Sequence, residues 1–214
     1  MKIFLWIIIS LFFLIKSFDT SKILMIYFSR SGNTKLFADY IKENIKIDSY
    51  QIIPAKPYPD DIDIMKELAK EERNNNIKPN ITEPLQDINK YDIILLGYPL
   101  WHSFLPNIVI NQIENLDFNG KTICPFNTYG SSGVGNSTID IKNYAKGAII
   151  KEGFPIKDSM IKIKDESMNR IKNWINNDFE YIEESNTEKE EELNNGKIIN
   201  INYFVYFILL YIYL

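Results

Sequence analysis

Three short stretches gather the hydroxyls, amides and rings that could do chemistry in this chain. The first is Ser29-Arg30-Ser31-Gly32-Asn33-Thr34. It supplies three hydroxyls, a cation, a glycine able to make a tight turn and, if a helix starts here, backbone N–H groups with no helical carbonyl to bond. Such a helix start favours a phosphate dianion by roughly 0.3–1 kcal/mol, up to about 2 kcal/mol when partly buried. A plain helix cap needs only one Ser or Thr, and six consecutive small or polar residues exceed that need. The stretch lacks the G-x-x-x-x-G-K-[ST] frame of a nucleoside-triphosphate loop, and no cysteine precedes Arg30 as a tyrosine-phosphatase loop would require.

The second stretch runs from Gly97 to Pro106, GYPLWHSFLP, and the third from Asn127 to Ser137, NTYGSSGVGNS. A large aromatic such as Trp101 in a loop at a strand end can form one wall of a slot for a flat ring; the alternative is a packing role. The glycines of the third stretch let backbone approach a ligand closely. It is not a dinucleotide fingerprint, because Ser132 stands where G-x-G-x-x-G needs glycine. A phosphate cradle, an aromatic wall and a glycine-rich wall together describe a ligand with a phosphate at one end and a flat heterocycle at the other. FMN fits that outline; NAD fits it less well.

These stretches need a scaffold that presents them together. KILMIYF (22–28), SYQIIP (49–54), DIILLG (92–97) and KTICPF (121–126) read as strands, with a weaker fifth from Pro155 to Lys164. Helical spacing marks Asn33–Ile45, Asp61–Asn75, Pro106–Asn115, Asn136–Lys146 and Asp165 to about Tyr181. Pro106 suits a first helical turn. DIILLG is the most apolar strand and belongs at the sheet centre. Five βα pairs in order imply an α/β fold, a parallel sheet covered on both faces by helices. Ligands bind such sheets beyond the carboxyl ends of the strands, where all three stretches fall.

Composition narrows the class. The chain has 214 residues, 45% hydrophobic and 24% charged, which excludes a mainly disordered or collagen-like protein. One Cys and one His leave no internal disulfide and no cysteine- or histidine-rich metal cluster, so no metal is expected. Glu183, Glu184, Glu188, Glu190, Glu191 and Glu192 hold six of the 28 acids; Lys189 and Lys197 are the bases beyond residue 182, leaving 22 of each sign before it. A neutral body has no electrostatic footprint for nucleic acid. Residues 182–197 read as a solvated acidic linker.

Both ends are apolar. Residues 3–15, IFLWIIISLFFLI, would make a helix of about 20 Å, short of a bilayer core of about 30 Å. With Lys2 before and Lys16 after, residues 1–19 read as a signal peptide or an N-terminal membrane anchor. Residues 198–214, IININYFVYFILLYIYL, are a possible membrane anchor, and with Ser185-Asn186-Thr187 they also outline a lipid-anchor signal. Export to, or association with, a bacterial envelope is favoured. A glycosylating route is less attractive, because Asn136-Ser137-Thr138 would put a glycan on the third stretch. If the first run is not a signal, the location is cytoplasmic.

IYFSRSGNT (26–34), LLGYPLWHSFLP (95–106) and PFNTYGSSGVGNS (125–137) resemble the flavodoxin family. AKPYPDDID (55–63) and the region from Gly153-Phe154-Pro155 through Trp174 resemble its short-chain, FMN-binding branch. The resemblance spans about residues 22–178, and a domain of 22–181 is expected. It implies a flavodoxin-like three-layer sandwich, a five-stranded parallel sheet of order 2-1-3-4-5 and non-covalent FMN. Ser29, Arg30, Ser31, Gly32, Asn33 and Thr34 would hold the phosphate. Pro99, Leu100, Trp101 and His102 would line one side of the isoalloxazine, and Thr128, Tyr129, Gly130, Ser131 and Ser132 the other. Relatives often carry a second aromatic where His102 stands and a Gly-Gly pair near Gly130-Ser131. The implied activity is electron transfer through the flavin, to redox partner proteins or a small-molecule acceptor, with no catalytic side chain. An NAD(P)H-dependent quinone or flavin reductase on the same fold is the alternative, and a module without FMN is a second rival. His102 is also a candidate to gate proton uptake.

Overall fold

The computed structural model describes residues 22–131 and 135–177. The signal or anchor expected at 1–19, Ser132, and the linker and apolar tail at 182–214 lie outside the described residues. Among the described residues no helix is long and apolar enough to cross a membrane.

Strands and helices alternate. The order is β1 (Ile23–Tyr27), α1 (Asn33–Asn44), β2 (Asp48–Gln51), α2 (Ile62–Asn74), β3 (Ile93–Pro99), α3 (Asn107–Ile113), β4 (Thr122–Tyr129) and α4 (Ser137–Tyr144). Then follow β5 (Ile149–Ile150), β6 (Phe154–Lys157) and the single turn α5 (Asp158–Ile161). Residues 164–173 are helical and complete the unit Ser21–Asn173. A second unit comprises Met1–Thr20 and Trp174–Leu214, of which 174–177 are described and helical.

All strand pairs are parallel, in the order β2-β1-β3-β4-β5, with β3 at the centre as its continuous apolar run requires. Side chains alternate between faces. Leu24, Ile26, Ile94, Leu96 and Ile123 share one core with Met65, Ile108 and Ile113 of the flanking helices. On the other face Phe37 of α1 packs edge-on against Phe126 at 4.8 Å and Phe154 at 5.7 Å. In α1 the buried set Thr34, Phe37, Ala38, Tyr40 and Ile41 follows the helical period; in α2 it is Met65, Ala69 and Glu72. Asp61 opens α2 by accepting from the N–H groups of Asp63 and Ile64, both at 2.9 Å.

The fifth strand differs from expectation. It comes as two short pieces, β5 and β6, both beside β4, and it ends at Lys157; residues 158–161, expected in the strand, are helical. Pro125 explains the break. The carbonyl of Ile123 accepts from Lys151 N at 2.9 Å, so Ile123 faces this edge and Pro125, two residues on, faces it too. Proline has no N–H to offer, and the ladder stops there and resumes at the pair Phe126 and Phe154.

Candidate functional site

The carboxyl ends of β1, β3 and β4 are neighbours in the sheet, so the loops that follow them meet at one edge. After β1, Phe28 is pinned by its N–H to Gly97 O at 2.9 Å, and the chain turns through Gly32, whose φ of +91° is left-handed. A side chain at Gly32 would meet nothing within 4 Å, so the turn is open on that side. No side chain caps α1 at Gly32, and no acid stands in its first turn. The Ser29 hydroxyl accepts from Lys35 N at 3.1 Å. Among the described residues nothing accepts from the backbone N–H groups of Ser31, Gly32, Asn33 and Thr34. Ser31 and Gly32 are exposed, and Thr34 is buried with its hydroxyl 2.9 Å from that of Thr128. That contact ties the first loop to the end of β4.

Arg30 also holds a second loop. Its guanidinium donates to the carbonyls of Pro59 at 2.8 Å and Asp60 at 3.3 Å, which pins the AKPYPDDID loop over the turn. This pairing spans about thirty residues, which no local pattern reveals.

After β3, Leu100 N donates to Thr128 O at 2.8 Å. Trp101 and Phe104 then pair backbone to backbone across His102 and Ser103, whose φ values of 49° and 71° are both left-handed. Positive φ at both central residues marks a mirror-image two-residue turn. Trp101 is the inner residue. It is 9% exposed, with Phe28 edge-on at 5.5 Å and Tyr58 at 4.8 Å. His102 is the outer residue, exposed, with its Nε2 2.9 Å from the Lys66 carbonyl. A carbonyl only accepts, so Nε2 carries the proton in that bond.

After β4, Thr128 is buried, Tyr129 half-buried, and Gly130 and Ser131 exposed. Farther along this loop, Asn136 N donates to Ser103 O at 2.7 Å. Gly135, at φ +68°, lies so close that a Cβ would sit 2.5 Å from that same oxygen. The second and third loops therefore touch through backbone, and only glycine fits the contact.

A buried polar layer lies beneath. The Tyr98 hydroxyl is 3.0 Å from that of Ser137, and burial pushes its pKa up to about 12. Tyr58 donates to Glu72 at 3.1 Å, and burial holds the Tyr58 hydroxyl in its neutral form. Burial also pushes the Glu72 carboxyl up to about 7, against the Tyr58 bond and with help from the neighbouring charge of Glu71. Arg73 makes a two-pronged ion pair with Asp140, both contacts at 2.9 Å. Sequence reasoning missed Glu72, Arg73, Asp140 and Gly135. One signal was available: Glu72 occupies a core position in the period that starts at Met65 and Ala69.

Known proteins share this fold. The flavodoxin family model matches residues 22–178. The chain belongs to the flavodoxin family. Among solved structures, a candidate flavoprotein from Bacteroides eggerthii is 33% identical, with a TM-score of 0.58, over 67% of this chain and 94% of that one. Another from Bacteroides uniformis is 28% identical, with a TM-score of 0.62, over 73% and 99%. A flavoprotein from Lactobacillus acidophilus in complex with FMN shares the fold at 24% identity, with a TM-score of 0.54, over 67% and 97%. No curated protein matches the sequence. In this flavodoxin, Ser29 to Thr34, Pro99 to His102 and Thr128 to Ser131 all stand at the sheet edge expected for them; Ser132 is outside the described residues.

Proposed function

We propose that this flavodoxin holds FMN non-covalently and passes electrons between redox partners. The observation that carries the reading is the turn after β1: four neighbouring N–H groups without acceptors among the described residues, an open left-handed glycine, and no acid in the helical turn behind it. That is the donor set a phosphate dianion needs. The N–H groups of Ser31, Gly32, Asn33 and Thr34, with the Ser31 hydroxyl, would hold the phosphate. Arg30 would join them, and its Nη1 also fixes the 59–60 loop.

Pro99, Leu100, Trp101 and His102 would line one side of the isoalloxazine, and Thr128, Tyr129, Gly130, Ser131 and Ser132 the other. FMN, when bound, supplies the one- and two-electron chemistry. The chain's own residues bind, orient and insulate. Phe28 and Tyr58 brace Trp101 from below, and Tyr98, Ser137 and Thr34 keep polar groups under the loops paired. The 22–181 region is the functional domain, and its partners are redox proteins or a small acceptor.

The test is the visible spectrum of the purified chain after reconstitution with FMN and removal of unbound flavin. A retained band near about 450 nm, a general property of flavins, is expected. Colourless protein would refute the reading. Rapid mixing of the loaded protein with NADPH then separates a carrier, whose colour persists, from a reductase, whose colour bleaches.

A further inference from the structure

Asp140 is the most buried member of any ion pair among the described residues, its side chain 6% exposed. It stands in the first turn of α4, just beyond the glycine-rich loop. Arg73 reaches it from the last turn of α2, with Nη1 on Oδ2 and Nη2 on Oδ1, each at 2.9 Å. The same Oδ2 accepts from Leu105 N at 3.1 Å. The Arg73 guanidinium lies over the Phe104 ring, 4.2 Å from its centroid, and Phe104 is the backbone partner of Trp101. One carboxylate and one guanidinium thus hold three elements: the end of α2, the turn at 101–105 and the start of α4. The contact between Ser103 O and Asn136 N lies between the same two loops.

We propose that Arg73 and Asp140 are positioning residues for the ring slot, fixing the 99–102 wall against the start of α4, the helix that follows the 128–131 wall. The inference rests on the FMN reading above but concerns different residues, none of which touches the phosphate turn. The guanidinium is suited to the task because its planar fork takes both carboxylate oxygens while its face stacks on an aromatic ring; a lysine does neither. Asp140 also fixes the turn directly through Leu105 N, so the geometry of His102 and Ser103, both in left-handed backbone, is held at its C-terminal side.

The pair acts on the ring and not on the phosphate, which sets the test. FMN and riboflavin are titrated separately against the wild-type chain, R73Q, D140N and the milder R73K, with visible circular dichroism of each loaded protein. R73Q and D140N are expected to raise Kd for both flavins by the same factor, about tenfold or more, the scale on which the outer partners of a bound group act. Their visible dichroism should change, since that signal reports how the ring is held. R73K, which keeps the charge but not the fork, should fall between. If R73Q or D140N fails to fold, R73K alone decides the matter by the same two readouts. Unchanged Kd and dichroism in a folded variant would overturn the proposal while leaving FMN binding intact. A loss for FMN with none for riboflavin would overturn it too, because the pair would then act through the phosphate turn. A wild-type chain that takes up neither flavin would overturn both readings together.

Discussion

Replacing Glu72 by Gln should stabilise the protein in a way that depends on pH. Glu72 is 4% exposed, at a core position of α2. Its carboxyl accepts from Tyr58 at 3.1 Å, and its backbone carbonyl accepts from Ile77 N and Asn107 Nδ2. Burial lifts its pKa from 4.5 to about 7. A carboxyl raised on folding contributes fully to stability below pH 4.5. That contribution is lost as pH rises through about 7, because the folded protein must then ionise a buried group. The gap of about 2.5 pH units corresponds to about 3 kcal/mol at 1.36 kcal/mol per unit. Linkage gives a cost of about 1 kcal/mol at pH 5 and about 3 kcal/mol at pH 8. Gln keeps an acceptor for Tyr58 and never ionises. Any packing or amide penalty it introduces is the same at both pH values and cancels in the difference. Urea unfolding of the flavin-free protein at pH 5 and pH 8 is the assay. E72Q should gain about 2 kcal/mol more, relative to wild type, at pH 8 than at pH 5. An equal effect at the two pH values would show that Glu72 is not held neutral by burial, and the reasoning would fail.

Three further substitutions test the packing of the site. Ala at Gly97 would place a Cβ 2.2 Å from the ring of Phe126, itself fully buried against Phe37, so G97A should lose roughly 1–3 kcal/mol and lower the thermal midpoint by several degrees. G135A puts a side chain both at positive φ and against Ser103 O, and a loss of about 1–3 kcal/mol is expected in thermal melts, with faster release of bound flavin; a melt and a release rate like those of wild type would mean that the two loops do not touch there. T128V leaves the Thr34 hydroxyl, 1% exposed, without its partner, and urea unfolding should show a loss of about 1–3 kcal/mol.

What could be read from the chain was what is local. Apolar runs of four to eight residues mark β1, β3 and β4, and the spacing of Phe37, Tyr40 and Ile41 marks α1, because each pattern is written within one element. The turn at Ser29–Thr34 was legible for the same reason. The break in the edge strand is written at Pro125, 33 residues before the single turn Asp158–Ile161, beyond the reach of any local pattern. The carbonyls of Pro59 and Asp60 that accept from Arg30 lie about thirty residues on, beyond any local pattern. Trp101 and His102 are adjacent in sequence, yet the tight turn sends one inward onto Phe28 and Tyr58 and the other to the surface. Arg73 and Asp140 lie 67 residues apart, and only the fold brings them together. The positions of the loops followed from alternation of strands and helices; the pairings beneath them did not.

The central claim is that the turn after β1 anchors a phosphate ester. Calorimetric titration of the flavin-free chain with FMN and with riboflavin isolates that anchor, since the two ligands differ only by the phosphate. FMN should bind at least about a hundredfold more tightly, a difference of about 2.7 kcal/mol. Equal affinities, or binding of neither, would contradict the account.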